Sequence, residues 1–149
     1  MKQQDFREIE PKIARYGCYF LCLCKIAERY LQKELRVQDA VEIYLKSVNE
    51  GYLYENCYVL KPQMILNLIF KMFNCKKKCV YSNIFIHNDT TNGFTDIIAK
   101  VKVDKITTTH FILIGKDKKI IYDPDSFVER EAKKRGGYSF LSFRGFEIK

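Results

Sequence analysis

Between Tyr16 and Lys33, Phe20, Leu23, Cys24, Ala27 and Leu31 recur at helical spacing among Lys25, Glu28, Arg29 and Lys33, which predicts an amphipathic helix over 16–33. Val37, Ala40, Val41, Tyr44, Leu45 and Val48 predict a second helix over 37–49, stopped by Gly51. Residues 51–60 are Tyr-rich and irregular. Pro62 then stands where a first helical turn begins, ahead of Met64, Ile65, Leu68, Ile69 and Met72. After Asn74 the period changes. Residues 79–86, 96–103, 109–115 and 118–122 are short runs rich in Val, Ile, Phe and Thr, separated by turn residues, and a last strand is expected within Tyr138–Ile148. Helices followed by strands predict an α+β fold, with an N-terminal helical layer packed on a C-terminal antiparallel β-sheet. No internal repeat or composition break interrupts the chain, so residues 1–149 read as a single domain.

Composition narrows the class. Of the 149 residues, 47% are hydrophobic and 30% charged, which argues against disorder. The net charge of +8 raises the prospect of an anionic partner such as nucleic acid. The longest basic runs are only Lys76–Lys78 and Lys133–Arg135, however, and they read as solvated loops and helix ends. The charged segment Met1–Glu10 lacks the apolar core of a signal peptide, and no apolar stretch approaches a membrane span. The expected compartment is therefore the cytoplasm, and the six cysteines are expected to be free thiols rather than disulfides. Nothing in the sequence calls for a cofactor. Oligomeric state is not legible, and a monomer is the simplest expectation.

Three segments carry candidate chemistry. Tyr16-Gly17-Cys18-Tyr19-Phe20-Leu21 puts a cysteine at the opening of an apolar helix. There the helix N-terminus favours a thiolate, and free backbone N–H groups are available to an oxyanion. Thr108-Thr109-His110-Phe111-Ile112 puts one of the two histidines at the start of a strand. Tyr122-Asp123-Pro124-Asp125 ends the next predicted strand, and a hairpin through Gly115–Lys118 brings Asp123 back toward His110. Cys18 is thus the candidate nucleophile, His110 its base and Asp123 the group that orients the imidazole, with Asp125 as the alternative third member. His87 reads as a residue of a polar surface loop. Taken singly, each residue has an ordinary structural reading: a small buried hydrophobe, an edge histidine, an Asp-Pro turn.

The order Cys, His, Asp-Pro resembles that of papain-like cysteine peptidases, most nearly those that process double-glycine leader peptides of bacteriocins. The likeness is carried by Tyr-Gly-Cys-Tyr-Phe-Leu-Cys-Leu and by Thr-His-Phe-Ile-Leu-Ile followed by Ile-Ile-Tyr-Asp-Pro-Asp. It implies a papain-like fold, a peptide or protein substrate, and thiol hydrolysis of a peptide or amide bond by Cys18, His110 and Asp123. In one respect the chain departs from the pattern: Lys12 stands six residues before Cys18, where such enzymes carry a Gln that donates to the oxyanion, and Gln3 and Gln4 lie too far upstream. Losing one such donor typically costs about 100- to 1000-fold in rate. The chain also resembles a family of spirochaetal plasmid and phage-related proteins to which no activity is assigned. The alternative readings are an inert papain-like binding module, a basic nucleic-acid-associated protein, and a thiolate zinc site built from Cys18, Cys22, Cys75 and Cys79.

Overall fold

The computed structural model describes residues 1–86 and 93–149. The chain is α+β. Helices α1 (Pro11–Tyr16), α2 (Cys18–Leu31), α3 (Val37–Asn49) and α4 (Pro62–Met72) fill the N-terminal half. Strands β1 (Cys79–Phe85), β2 (Asp96–Val103), β3 (His110–Ile114), β4 (Ile120–Tyr122) and β5 (Tyr138–Ile148) form one antiparallel sheet in the order β1-β5-β2-β3-β4. Helix α5 (Ser126–Lys134) lies between β4 and β5 in sequence.

Three features differ from the sequence expectation. The expected helix over 16–33 is broken at Gly17, so that Tyr16 ends α1 and Cys18 begins α2. A Cβ on Gly17 would lie 2.5 Å from the Ile13 carbonyl oxygen, so the sharp join between the helices requires glycine. The second correction is α5, which the strand-dominated reading of the C-terminal half did not anticipate. Asp125 caps it, accepting hydrogen bonds from the backbone N–H groups of Phe127 at 2.9 Å and Val128 at 3.3 Å. The strand expected over 118–122 is shorter at its start, because Asp117 and Lys118 adopt positive φ in a 3-10 turn.

Helix α2 is central. Phe20, Leu21, Leu23, Ile26 and Ala27 are all buried, and the helix packs against β3 on one side and α4 on another. The main core joins these residues to Ile43, Ile65, Ile69 and Phe70 of the helical layer and to Ile98, Leu113 and Phe146 of the sheet. On the sheet's other face a smaller core forms from Ile97, Ala99, Val101, Ile112, Ile114 and Phe143, and the rings of Phe94, Phe85, Phe143 and Phe140 stack in a row along it. Gly145 has no Cβ because the Phe94 ring lies directly on it. Both basic runs are exposed, Lys76–Lys78 between α4 and β1 and Lys133–Arg135 at the end of α5. Among the described residues, no helix is long and apolar enough to cross a membrane.

Candidate active site

The fold brings Cys18, His110 and Asp123 together. Cys18 is the first residue of α2, half-buried, and no side chain caps that helix end. Its free N–H groups and partial positive charge are therefore left for the sulfur and whatever binds beside it. His110 opens β3 and is buried. Antiparallel pairing of β3 with β4 sets Leu113 opposite Tyr122, which carries the following Asp123 back along β3. Pro124 favours an extended backbone at Asp123.

Asp123 has no solvent exposure, and three donors reach its carboxylate. The Nε2–H of His110 donates to Oδ1 at 2.6 Å, the backbone N–H of Asp125 donates to the same oxygen at 2.8 Å, and the Tyr138 hydroxyl donates to Oδ2 at 2.5 Å. Asp125 is instead engaged as the cap of α5 and as acceptor from Gln4 Nε2 at 2.9 Å. Of the two aspartates, it is Asp123 that reaches the imidazole.

The chain's first residues hold this segment in place. The Tyr122 hydroxyl donates to the Met1 carbonyl at 2.6 Å, the Lys2 ammonium donates to the Asp123 carbonyl, and the Gln3 N–H donates to the Pro124 carbonyl at 2.7 Å. Gln3 is buried and its Nε2 donates to the Ala14 carbonyl, so it ties the N-terminus to α1.

Burial works against a charge on His110, but the hydrogen bond to Asp123 and the nearby Cys18 side chain outweigh it and push its pKa up to about 10. At neutral pH the ring is then an imidazolium lying between a carboxylate and a sulfur. Since Nε2 serves Asp123, Nδ1 is left to exchange a proton with Cys18. Burial pushes the thiols of Cys22, Cys24 and Cys79 upward, and that of Cys57 to about 12. These four behave as buried hydrophobes. Cys22 Sγ contacts the Phe111 carbonyl at 3.7 Å and Cys79 Sγ the Tyr81 carbonyl at 3.5 Å. All six cysteines are free, and no cluster of His, Cys, Asp or Glu suited to a metal ion occurs among the described residues. His87 lies outside them.

Cys18 opens onto a cleft of about 420 Å³. The irregular stretch after α3 forms one wall with Asn56, Cys57 and Tyr58; the sheet forms the other with Lys100, Phe111 and Arg144. Tyr138, Arg144 and Asn56 escaped the sequence reading, as did the N-terminal clamp. Lys12, at the position of the absent Gln, is exposed.

The chain belongs to the family described as "Protein of unknown function, DUF261". That family's model matches residues 1–148. The chain has no match among curated proteins or among solved structures. Membership in the DUF261 family therefore brings no activity with it, and the chemistry rests on the geometry alone.

Proposed function

We propose that this DUF261 protein is a thiol hydrolase of peptide or amide bonds, related in mechanism to papain-like peptidases. The observation that carries the reading is the buried His110 ring, hydrogen-bonded to the Asp123 carboxylate and beside the Cys18 side chain at the head of α2. Thiolate is the nucleophile, and the imidazolium is its counter-charge. Cys18 Sγ attacks the substrate carbonyl carbon. Backbone N–H groups at the start of α2 receive the developing oxyanion. His110 gives its proton to the leaving amine as the C–N bond breaks and a thioester forms. The now neutral imidazole takes a proton from water, which attacks the thioester and releases the acid and the Cys18 thiolate. Asp123 stays ionised throughout and holds the ring in register.

Alkylation of the cysteines tests this without a known substrate. At about pH 5.5 an ordinary thiol is almost wholly protonated, so iodoacetamide should modify Cys18 well ahead of Cys75, which is also half-buried. His110→Ala should slow Cys18 about tenfold at that pH, because the gain in thiol nucleophilicity only partly offsets the loss of thiolate. Equal labelling of Cys18 and Cys75, or a Cys18 rate indifferent to His110→Ala, would leave an inert binding module in the same cleft as the better reading. The Lys12 position already favours that alternative.

A further inference from the structure

Arg144 is one of two basic side chains that line the cleft. It sits on β5 opposite Ile98 of β2, in the middle of the sheet, with its guanidinium packed against two touching rings, Tyr19 at 5.8 Å and Phe111 at 5.0 Å. Burial pushes its pKa down from the ordinary guanidinium range. A desolvated guanidinium ordinarily pairs with a carboxylate. Among the described residues none does so here: Nη1 donates to Ser142 Oγ at 2.5 Å, and Nε is buried without a partner. Lys100 lines the same cleft, two residues beyond Ile98 on β2 and opposite Ser142. Among the described residues, the cleft lining contains Cys18, two basic side chains and no acidic one. Arg144 also borders an adjoining cavity of about 350 Å³.

We infer that Arg144, assisted by Lys100, is a specificity residue that receives a carboxylate of the substrate beside the bond that Cys18 attacks. The inference rests on the thiol-hydrolase reading for its reaction, and it adds the class of substrate: a peptide or amide carrying an acidic group next to the scissile bond. A guanidinium that lines the cleft without a carboxylate partner suits a substrate carboxylate, which accepts two parallel N–H bonds. The carboxylate has two possible sources, an acidic side chain within the peptide or the free carboxylate at its C-terminus.

Two alkylating agents of nearly equal size separate this inference from the reading beneath it. Iodoacetamide is neutral and reports only on Cys18 reactivity; iodoacetate carries the carboxylate. At about pH 5.5 the ratio of iodoacetate to iodoacetamide rates should be about tenfold higher at Cys18 than at Cys75, the expected size of one charge-assisted hydrogen-bonded contact. Arg144→Gln should remove most of that excess, Arg144→Lys part of it and Lys100→Gln a smaller part, with iodoacetamide rates held within about twofold. The His110 charge favours iodoacetate in every variant, so the drop isolates Arg144. Should Arg144→Gln fail to fold, Arg144→Lys and Lys100→Gln carry the same comparison.

Protection of Cys18 from iodoacetamide then assigns the source. Acetyl-Glu-amide offers a side-chain carboxylate, acetyl-Gln a terminal one, and acetyl-Gln-amide neither. Stronger protection by either acidic probe supports the inference and names its source. A ratio unchanged in all three variants, or three probes that protect alike, overturns it. Sluggish iodoacetamide labelling of wild-type Cys18 overturns the hydrolase reading instead.

Discussion

At each end of α2 a carboxylate with no solvent exposure meets a basic side chain and a tyrosine hydroxyl. At the C-terminal end, Asp96 accepts from Arg29 Nη1 at 2.8 Å and from the Tyr30 hydroxyl. At the N-terminal end, Asp123 accepts from His110 at 2.6 Å and from the Tyr138 hydroxyl at 2.5 Å. The parts correspond, but two differences separate their roles. A guanidinium does not titrate where proteins are folded, whereas an imidazole does. The thiol near Asp96, that of Cys79, is also buried, whereas His110 lies beside Cys18, which lines the cleft. A buried carboxylate with its partners is therefore weak evidence of function by itself. A titratable partner with a nucleophile on its far side makes it a candidate site.

The largest expected effect breaks the structural end. Arg29→Ala leaves Asp96 buried with only hydroxyl donors, Tyr30 and, at 3.3 Å, Thr95. Arg29 is 40% exposed while Asp96 is buried, so removing this charge-assisted hydrogen bond should cost about 2 kcal/mol, seen as a lower denaturant midpoint. Iodoacetamide labelling of Cys18 in the folded protein should not change. A labelling rate that falls with the midpoint would mean that the two ends are one cooperative unit and that the comparison fails.

A second test uses pH. The His110 pKa lies at about 10 in the folded chain against 6.5 for an ordinary imidazole. The unfolded chain loses this proton first, so the contribution of His110 to stability is fully present below about pH 6.5 and is lost as pH rises toward about 10. The stability difference between wild type and His110→Ala should therefore shrink across that window in denaturant titrations at several pH values. The difference between wild type and Arg29→Ala should stay nearly level over the same range. A His110 difference that is flat with pH would show that the ring is a packing residue, not a charged partner of Cys18.

The sequence made the three candidate residues legible because each one marks an element boundary. Gly17-Cys18 precedes an apolar helical pattern, Thr109-His110 precedes an apolar strand, and Asp123-Pro124 closes the next one. Local signals of that kind survive without knowledge of the fold. Sheet order does not, and the remaining site residues depend on it. Strand β5 is last in sequence yet lies between β1 and β2, and this position brings Tyr138 to Asp123 and Arg144 to the wall of the cleft. No spacing within 138–148 encodes either contact. The N-terminal clamp was hidden likewise, since Gln4 and Asp125 meet across 121 residues. Helix α5 was within reach: Asp125 is a good N-cap, Val128 and Ala132 share a face, and Lys133 and Lys134 sit in the last turn. Reading Asp123-Pro124-Asp125 only as a strand end obscured that second role.

The smallest expected effect sharpens the comparison most, because it removes one oxygen from each end. Tyr138→Phe keeps the ring and deletes the donor to Asp123 Oδ2, leaving the two bonds at Oδ1 from His110 and Asp125. A single hydrogen bond is worth about 1 kcal/mol, and its loss frees the carboxylate to turn away from Nε2. Cys18 labelling near pH 5.5 should slow about threefold, less than in His110→Ala, because the ring remains. Tyr30→Phe makes the equivalent deletion at Asp96. It should lower the denaturant midpoint by a similar amount and leave Cys18 labelling untouched. The discriminating measurement is the pH profile of Cys18 alkylation in the two variants. A profile displaced by Tyr138→Phe and unmoved by Tyr30→Phe assigns Tyr138 to positioning the Asp123–His110 pair. Equal displacement in both, or in neither, would make Tyr138 as structural as Tyr30 and reduce the orienting group to Asp123 alone.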